Sequence, residues 1–423
     1  MGQGNRAGPA IWAVVSSVII QVMRQHTGGT KLVSPMSRNP TSFVGFSFMD
    51  DSDLTIANTE QYQTSGQILS QLQTAVSEWE DALQVTGGSL APQKSYWTPI
   101  VFSTKPGQAT YDGEAKAGAQ LWMTDKQGNR QQVEKLQIDE ARTMLGVDLV
   151  ADGNNRSQIA RMVKAATTWK DALRTGKLSK SDAWMGLQTT IMKTLEHPLA
   201  ATTLTRQECR SIMAIVLEAS LPTGGVWRNM PRAVVHGPVE RLGLGIPELY
   251  TVQGAQHVRN WVSHGSAMTT TGRLLRHSLE AMSIEVGSGS DVWRTDFRTF
   301  GALAATSLAK TTWEFISEEN IEIDHPIKIP PLRHKDTFIM ATAIRLGWRG
   351  KRLQAVNTVR KWMQVLTWAE LMNLAGTNGR DSAVQAKRQP KLRQYSWPHT
   401  TEPTEQHKRE WRGFLKEVQQ QRD

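Results

Sequence analysis

Two short apolar segments, Phe43-Val44-Gly45-Phe46-Ser47-Phe48 and Leu54-Thr55-Ile56-Ala57, flank the acidic run Met49-Asp50-Asp51-Ser52-Asp53. Apolar, β-favouring runs separated by a polar cluster read as strands joined by a tight turn. The segment predicts a β-hairpin with acids at its tip. Adjacent carboxylates there repel each other, and a cation relieves the repulsion. Mg²⁺ takes oxygen ligands and is commonly held by one or two carboxylates plus substrate phosphates. An isolated Asp-Asp is most often only a solvated turn, so the flanks decide what it means. A calcium loop is excluded, because its glycine at the sixth position and glutamate at the twelfth are missing.

Upstream, Gln3-Gly4 and Gly8-Pro9 lead into Ile11, Trp12, Val14, Val15, Val18, Ile19 and Val22, a helix apolar on most faces. Such a helix is expected to be buried. Downstream, Ile68, Leu69, Leu72, Ala75, Val76, Trp79, Ala82 and Leu83 follow the three/four spacing of an amphipathic helix, stopped at Gly87-Gly88. Strands are expected around 96–102, a hairpin from 119–124 and 131–136, and one short strand over 144–149. Beyond Asp152-Gly153 the pattern turns helical, with Thr205 and Glu208 as a capping box. The expected class is α+β, followed by an all-α region.

The order Gln-Gly loop and helix, Phe48-Met49-Asp50-Asp51, Gly87-Gly88-Ser89-Leu90-Ala91-Pro92-Gln93-Lys94, then Leu145-Gly146-Val147 resembles four successive motifs of reverse transcriptases of the non-LTR, LINE-like type. The resemblance covers about residues 2–150 as the palm and extends over 155–225 as a helical thumb. It implies an RNA-directed DNA polymerase that uses Mg²⁺ or Mn²⁺, with deoxynucleotides, an RNA template and a DNA primer as partners. Asp50 and Asp51 would be metal ligands and catalytic. Lys94 would assist the leaving pyrophosphate. Gln3, Gly4 and Phe48 would border the nucleotide, and Leu145 and Gly146 would grip the primer. The family also needs an aspartate on a strand before the Gln-Gly motif, together with a fingers region. Neither is present, so the chain reads as an N-terminally truncated polymerase that is inactive by itself. The alternative is a non-catalytic nucleic-acid-binding remnant.

The resulting division is 1–153 as the C-terminal part of the palm, 154–225 as the thumb, 226–379 as a basic helical region and 380–423 as a polar tail with a short final helix. A formal net charge of +10 favours a polyanionic partner. Within the basic helical region, Arg345, Arg349, Lys351, Arg352, Arg360 and Lys361 occupy one stretch without an acid, interleaved with Trp348 and Trp362. That pattern suits phosphate contacts with base stacking, or else a solvated face over buried tryptophans. His236, His257 and His264 are too widely spaced for a zinc site. The single cysteine, Cys209, excludes a disulfide scaffold and fits a reducing compartment. No segment is long and apolar enough to be expected in a membrane. Oligomeric state and compartment are left open by the sequence.

Overall fold

The computed structural model describes residues 8–48, 51–57, 64–105, 108–111, 120–324, 327–372, 381–389, 391–397, 400 and 402–421. The class is α+β. The described chain forms two compact units, one from residues 1–138, 268–277 and 393–401, the other from 139–267, 278–392 and 402–423.

The first unit opens with helix α1 (Gly8–His26) and four strands, β1 (Thr30–Val33), β2 (Pro40–Phe43), β3 (Gly45–Phe48) and β4 (Asp51–Leu54), then helix α2 (Ser65–Val85). Short strands follow: β5 (Tyr96–Trp97), β6 (Phe102–Lys105), β7 (Gln108–Tyr111), β8 (Trp122–Thr124), β9 (Arg130–Gln132) and β10 (Glu134–Lys135). They pair two by two. β1–β2, β3–β4, β6–β7 and β8–β9 are antiparallel, while β5–β10 is parallel.

Helix α2 is the spine of this unit. A capping box starts it, with Thr64 accepting from the Gln67 amide and Gln67 reaching back to Thr64. One side of the helix places Ala75, Trp79 and Leu83 against Ile19 and Met23 of α1 and Val44 beside β3. The next stripe places Val76 against Trp97, Leu121 and Val133. Its polar edge is used too. Gln73 exchanges hydrogen bonds with the Trp122 backbone at 2.9 and 2.8 Å, and Glu80 accepts from the Thr124 amide. The helix thereby holds both hairpins in place.

Helix α1 departs from expectation. Ser16, Ile19 and Met23 are buried, but Ile11, Val14, Val18 and Val22 are 45, 66, 56 and 42 % exposed. The first unit covers only one stripe of α1, because α2 and the β3–β4 hairpin are the elements packed on it.

The second unit begins with the hairpin β11 (Ala141–Met144) and β12 (Val147–Val150), where one strand was expected. Leu145 and Gly146 turn it, with φ of 50° and 81°. Helices α3 (Arg156–Thr175), α4 (Lys180–Gly186), α5 (Met192–Glu196) and α6 (Arg206–Thr223) follow. The capping box of Thr205 and Glu208 starts α6. Then come α7 (Arg232–Val235), α8 (Leu249–His264), α9 (Thr270–Val286), α10 (Phe297–Phe300), α11 (Leu308–Glu319), α12 (Ile339–Arg345), α13 (Gly350–Met363), α14 (Asp381–Val384) and α15 (Glu405–Gln420). The first half of α9 counts with the first unit. A C-terminal core joins Ile339, Val356, Met363, Trp368, Trp411 and Phe414. The final helix is therefore part of a packed core rather than an appendage. Among the described residues no helix is long and apolar enough to cross a membrane.

Inside α8 the Gln253 side chain accepts from the Leu204 amide at 3.0 Å and donates to its carbonyl at 2.9 Å. One turn on, His257 is fully buried. Burial lowers its pKa to about 4, although the nearby Leu199 and Thr202 backbone favours the charged form. The folded value lies below the unfolded one, so the unfolded chain takes up a proton first. Stability of this unit is expected to fall as the pH drops from about 6.5 towards 4, by up to ~1.4 kcal/mol per pH unit. In His257→Gln that contribution to the acid limb disappears, as denaturant unfolding at stepped pH would show.

Candidate metal centre

The register of β3–β4 pairs Gly45 with Leu54, Phe46 with Asp53, Ser47 with Ser52 and Phe48 with Asp51. Two residues, Met49 and Asp50, join the strands. They lie outside the described residues, as do Gln3 and Gly4 and the side chain of Phe48. The hairpin is present, but its strands are displaced from expectation. Asp51, Ser52 and Asp53 belong to β4 rather than to the tip.

That displacement gives the acids a defined geometry. Alternate residues of a strand point to the same face, so Asp51 and Asp53 share one. Phe46, the cross-strand partner of Asp53, stands on that face as well. The Phe46 ring lies 5.1 Å from that of Phe43, tilted by 42°. On the opposite face the hydroxyls of Ser47 and Ser52 are 3.0 Å apart. Gly45 lets β4 come this close, since a Cβ there would meet the Asp53 carbonyl oxygen.

Asp51 is exposed and Asp53 is half-buried. Burial, and then the charge of Asp51, raise the Asp53 carboxyl above its ordinary range. A divalent cation at this face would reverse both effects. Two carboxylates suffice for Mg²⁺ when substrate phosphates supply the rest, so the donor set fits such an ion. Asp53 is the functional candidate that the sequence motif overlooked. Its signal was the i, i+2 spacing from Asp51 once both are placed in a strand. No group of three or more metal-ligating side chains occurs among the described residues.

Lys94 ends the single turn Pro92–Lys94 and is exposed, its amide donating to Ala91 at 2.9 Å. Nearby Leu90 packs into both cores of the first unit, each time with Leu54 of β4. The segment carrying Lys94 and the strand carrying the acids thus share one hydrophobic floor. Leu145 and Gly146 belong to the second unit, where His197 Nε2 lies 2.8 Å from the Leu145 carbonyl oxygen.

The basic stretch is divided: Arg345, Arg349, Lys351 and Arg352 are exposed, while Arg360 and Lys361 are not. Arg360 is fully buried. It donates through Nη2 to the Ile284 and Glu285 carbonyls at 2.8 and 2.5 Å, closing the C-terminal turn of α9. A Cβ at Gly287 would strike its guanidinium. Arg360 is thus a structural staple and meets no phosphate. Lys361 is half-buried, with its pKa lowered by burial and by Arg360. Arg349 donates to the Ile344 and Trp348 carbonyls at 2.9 and 2.8 Å. Arg352 stacks on Trp348 at 3.9 Å and pairs with Glu410 at 3.4 Å. Trp348 itself is buried, and Arg388 covers Trp362 at 4.5 Å. Lys351 is exposed.

Neither protein-family models nor curated protein sequences match this chain.

Two outcomes follow from these placements. Arg360→Met should cost about 1–3 kcal/mol, by leaving the Ile284 and Glu285 carbonyls at the end of α9 without their donor. Nucleic-acid affinity per folded molecule should be unchanged, as denaturant titration beside an oligonucleotide binding curve would establish. Asp53→Asn should stabilise the protein at pH 7. A carboxyl whose folded pKa is raised loses stability as the pH climbs from its unfolded value through its folded one. The gain should vanish near ~pH 3, where both states are protonated. Thermal unfolding at the two pH values decides it.

Proposed function

We propose that the β3–β4 hairpin is the metal-binding turn of an RNA-directed DNA polymerase. The observation that carries this reading is the register. It leaves two residues, Met49 and Asp50, between the strands, and it sets Asp51 and Asp53 on one face beside the aromatic positions 46 and 48. The packing of α1 and α2 against the hairpin, and the return of the Gly87–Lys94 segment to the same floor through Leu90, are consistent with it.

On this reading Asp50 and Asp51 would hold Mg²⁺ or Mn²⁺, and Asp53 would support them from the face it shares with Asp51. When bound, such an ion would supply charge neutralisation for attack of the primer 3′-hydroxyl on the α-phosphorus of a deoxynucleoside triphosphate and for the departing pyrophosphate. Lys94 donates a proton to the departing pyrophosphate. Gln3, Gly4 and Phe48 border the nucleotide, and Leu145 and Gly146 touch the primer strand. The template is RNA.

Mn²⁺ binding tests the site without requiring turnover. Water-proton relaxation should report Mn²⁺ on the intact chain, with affinity reduced at least tenfold in Asp50→Ala and in Asp51→Asn. Any primer extension on an RNA template should disappear in the same variants. Mn²⁺ affinity indifferent to both substitutions would sink the reading.

A further inference from the structure

In the second unit, α3 and the C-terminal end of α6 gather cations around one carboxylate. Glu218 lies 2.8 Å from Arg174, 3.4 Å from Lys170 and 3.4 Å from Arg228. One acid cannot neutralise three cations. Adding Lys177 and Lys180, and the acids Asp171 and Asp182 of the same segment, gives five positive and three negative charges, a net +2. Arg174 and Arg228 remain more than half exposed.

Beside this cluster stands Trp227, 66 % exposed. An indole so open to water is uncommon for a residue that buries its ring wherever it can. The loop that presents it is built rather than loose. Trp184 donates to the Gly224 carbonyl at 3.1 Å, and a Cβ at Gly224 would strike the same indole. The side chain of Lys180 lies against Gly225. The Val226 amide donates to Leu221 at 2.8 Å, and the Trp227 carbonyl accepts from Met230 at 3.0 Å. The indole therefore stands on an anchored turn, with Arg228 next in the chain.

We infer that Trp227 and the cations around Glu218 form a binding surface for single-stranded nucleic acid, with a base stacked on the indole and adjacent phosphates on Arg228, Arg174 and Lys180. An exposed aromatic plane beside phosphate-binding cations is the combination that unpaired bases select, because a paired base hides its face within the stack. An acidic peptide would use the cations and leave the indole idle. The surface stands independently of the polymerase reading.

Anisotropy of fluorescein-labelled oligouridylate and oligothymidylate, in EDTA so that the hairpin acids play no part, tests the inference. Trp227→Ala should weaken binding by ~5–150-fold, the range for one lost stacking contact, and Trp227→Phe should restore most of it. Arg228→Gln should lower the salt slope by about 0.7, one phosphate on a single strand. A 5-iodouracil oligonucleotide should crosslink at Trp227, located by peptide mass mapping. The relative affinity of the two oligomers tells which nucleic acid the surface prefers. The inference is overturned if Trp227→Ala, with unaltered thermal unfolding, binds within twofold of the parent and no crosslink maps to the 224–232 loop. A duplex of equal length or polyglutamate competing as well as the single strand overturns it too.

Discussion

Everything in the first unit depends on the apolar contact of Trp79 and its neighbours on α2 with Val44, Ile19 and Met23. A two-stranded hairpin is marginal in water by itself. One that carries Asp51 and Asp53 on a single face is worse, because the like charges there repel each other. The buried floor supplies the compensating free energy, with α1 and α2 both contributing to it. The opposite edge of α2 fixes the β8–β9 hairpin through Gln73 and Glu80, so the orientation of the acidic strand and of the later sheet are set together.

The parts of this fold that were legible in the sequence are those in which a repeating pattern reports burial directly. The spacing from Ile68 to Leu83 gave α2 because that face is covered along its length. Thr205 and Glu208 gave the start of α6 because a capping box is a local device. Thr64 and Gln67 form the same device at the start of α2. The β3–β4 strands differ from the sequence expectation because Asp51 and Asp53, residue types common in turns, lie within β4. In a strand with one wet face, polar residues alternate with the rest, and an acid is no obstacle. For α1, apolarity on most faces predicts complete burial. Within this unit the helix is covered along one stripe only.

The basic stretch of residues 345–361 shows why charge content misleads. A guanidinium can serve a helix end as well as a phosphate, because its planar set of donors suits any cluster of carbonyl oxygens. Arg360 lies beneath the C-terminal turn of α9, and Arg349 closes the turn before α13. Nothing in residue type or local spacing separates Arg360 from an exposed cation such as Arg349; the distinction is made by Ile284 and Glu285, some 75 residues away in sequence. Asp53 carries the converse lesson, as an acid whose significance emerges only once the register is known.

Glu218 shows how an acid within a cationic surface can favour anion binding instead of cancelling it. Left alone, Lys170, Arg174 and Arg228 would repel one another and sample many rotamers. Holding long side chains in one arrangement costs roughly 0.5–1.5 kcal/mol each when a ligand must do it. A shared carboxylate draws the three together beforehand, and its single charge leaves them net positive. The anchored loop does the same for the indole of Trp227. Both elements of such a surface are then in place before any strand arrives, so more of the stacking and phosphate free energy is retained as affinity.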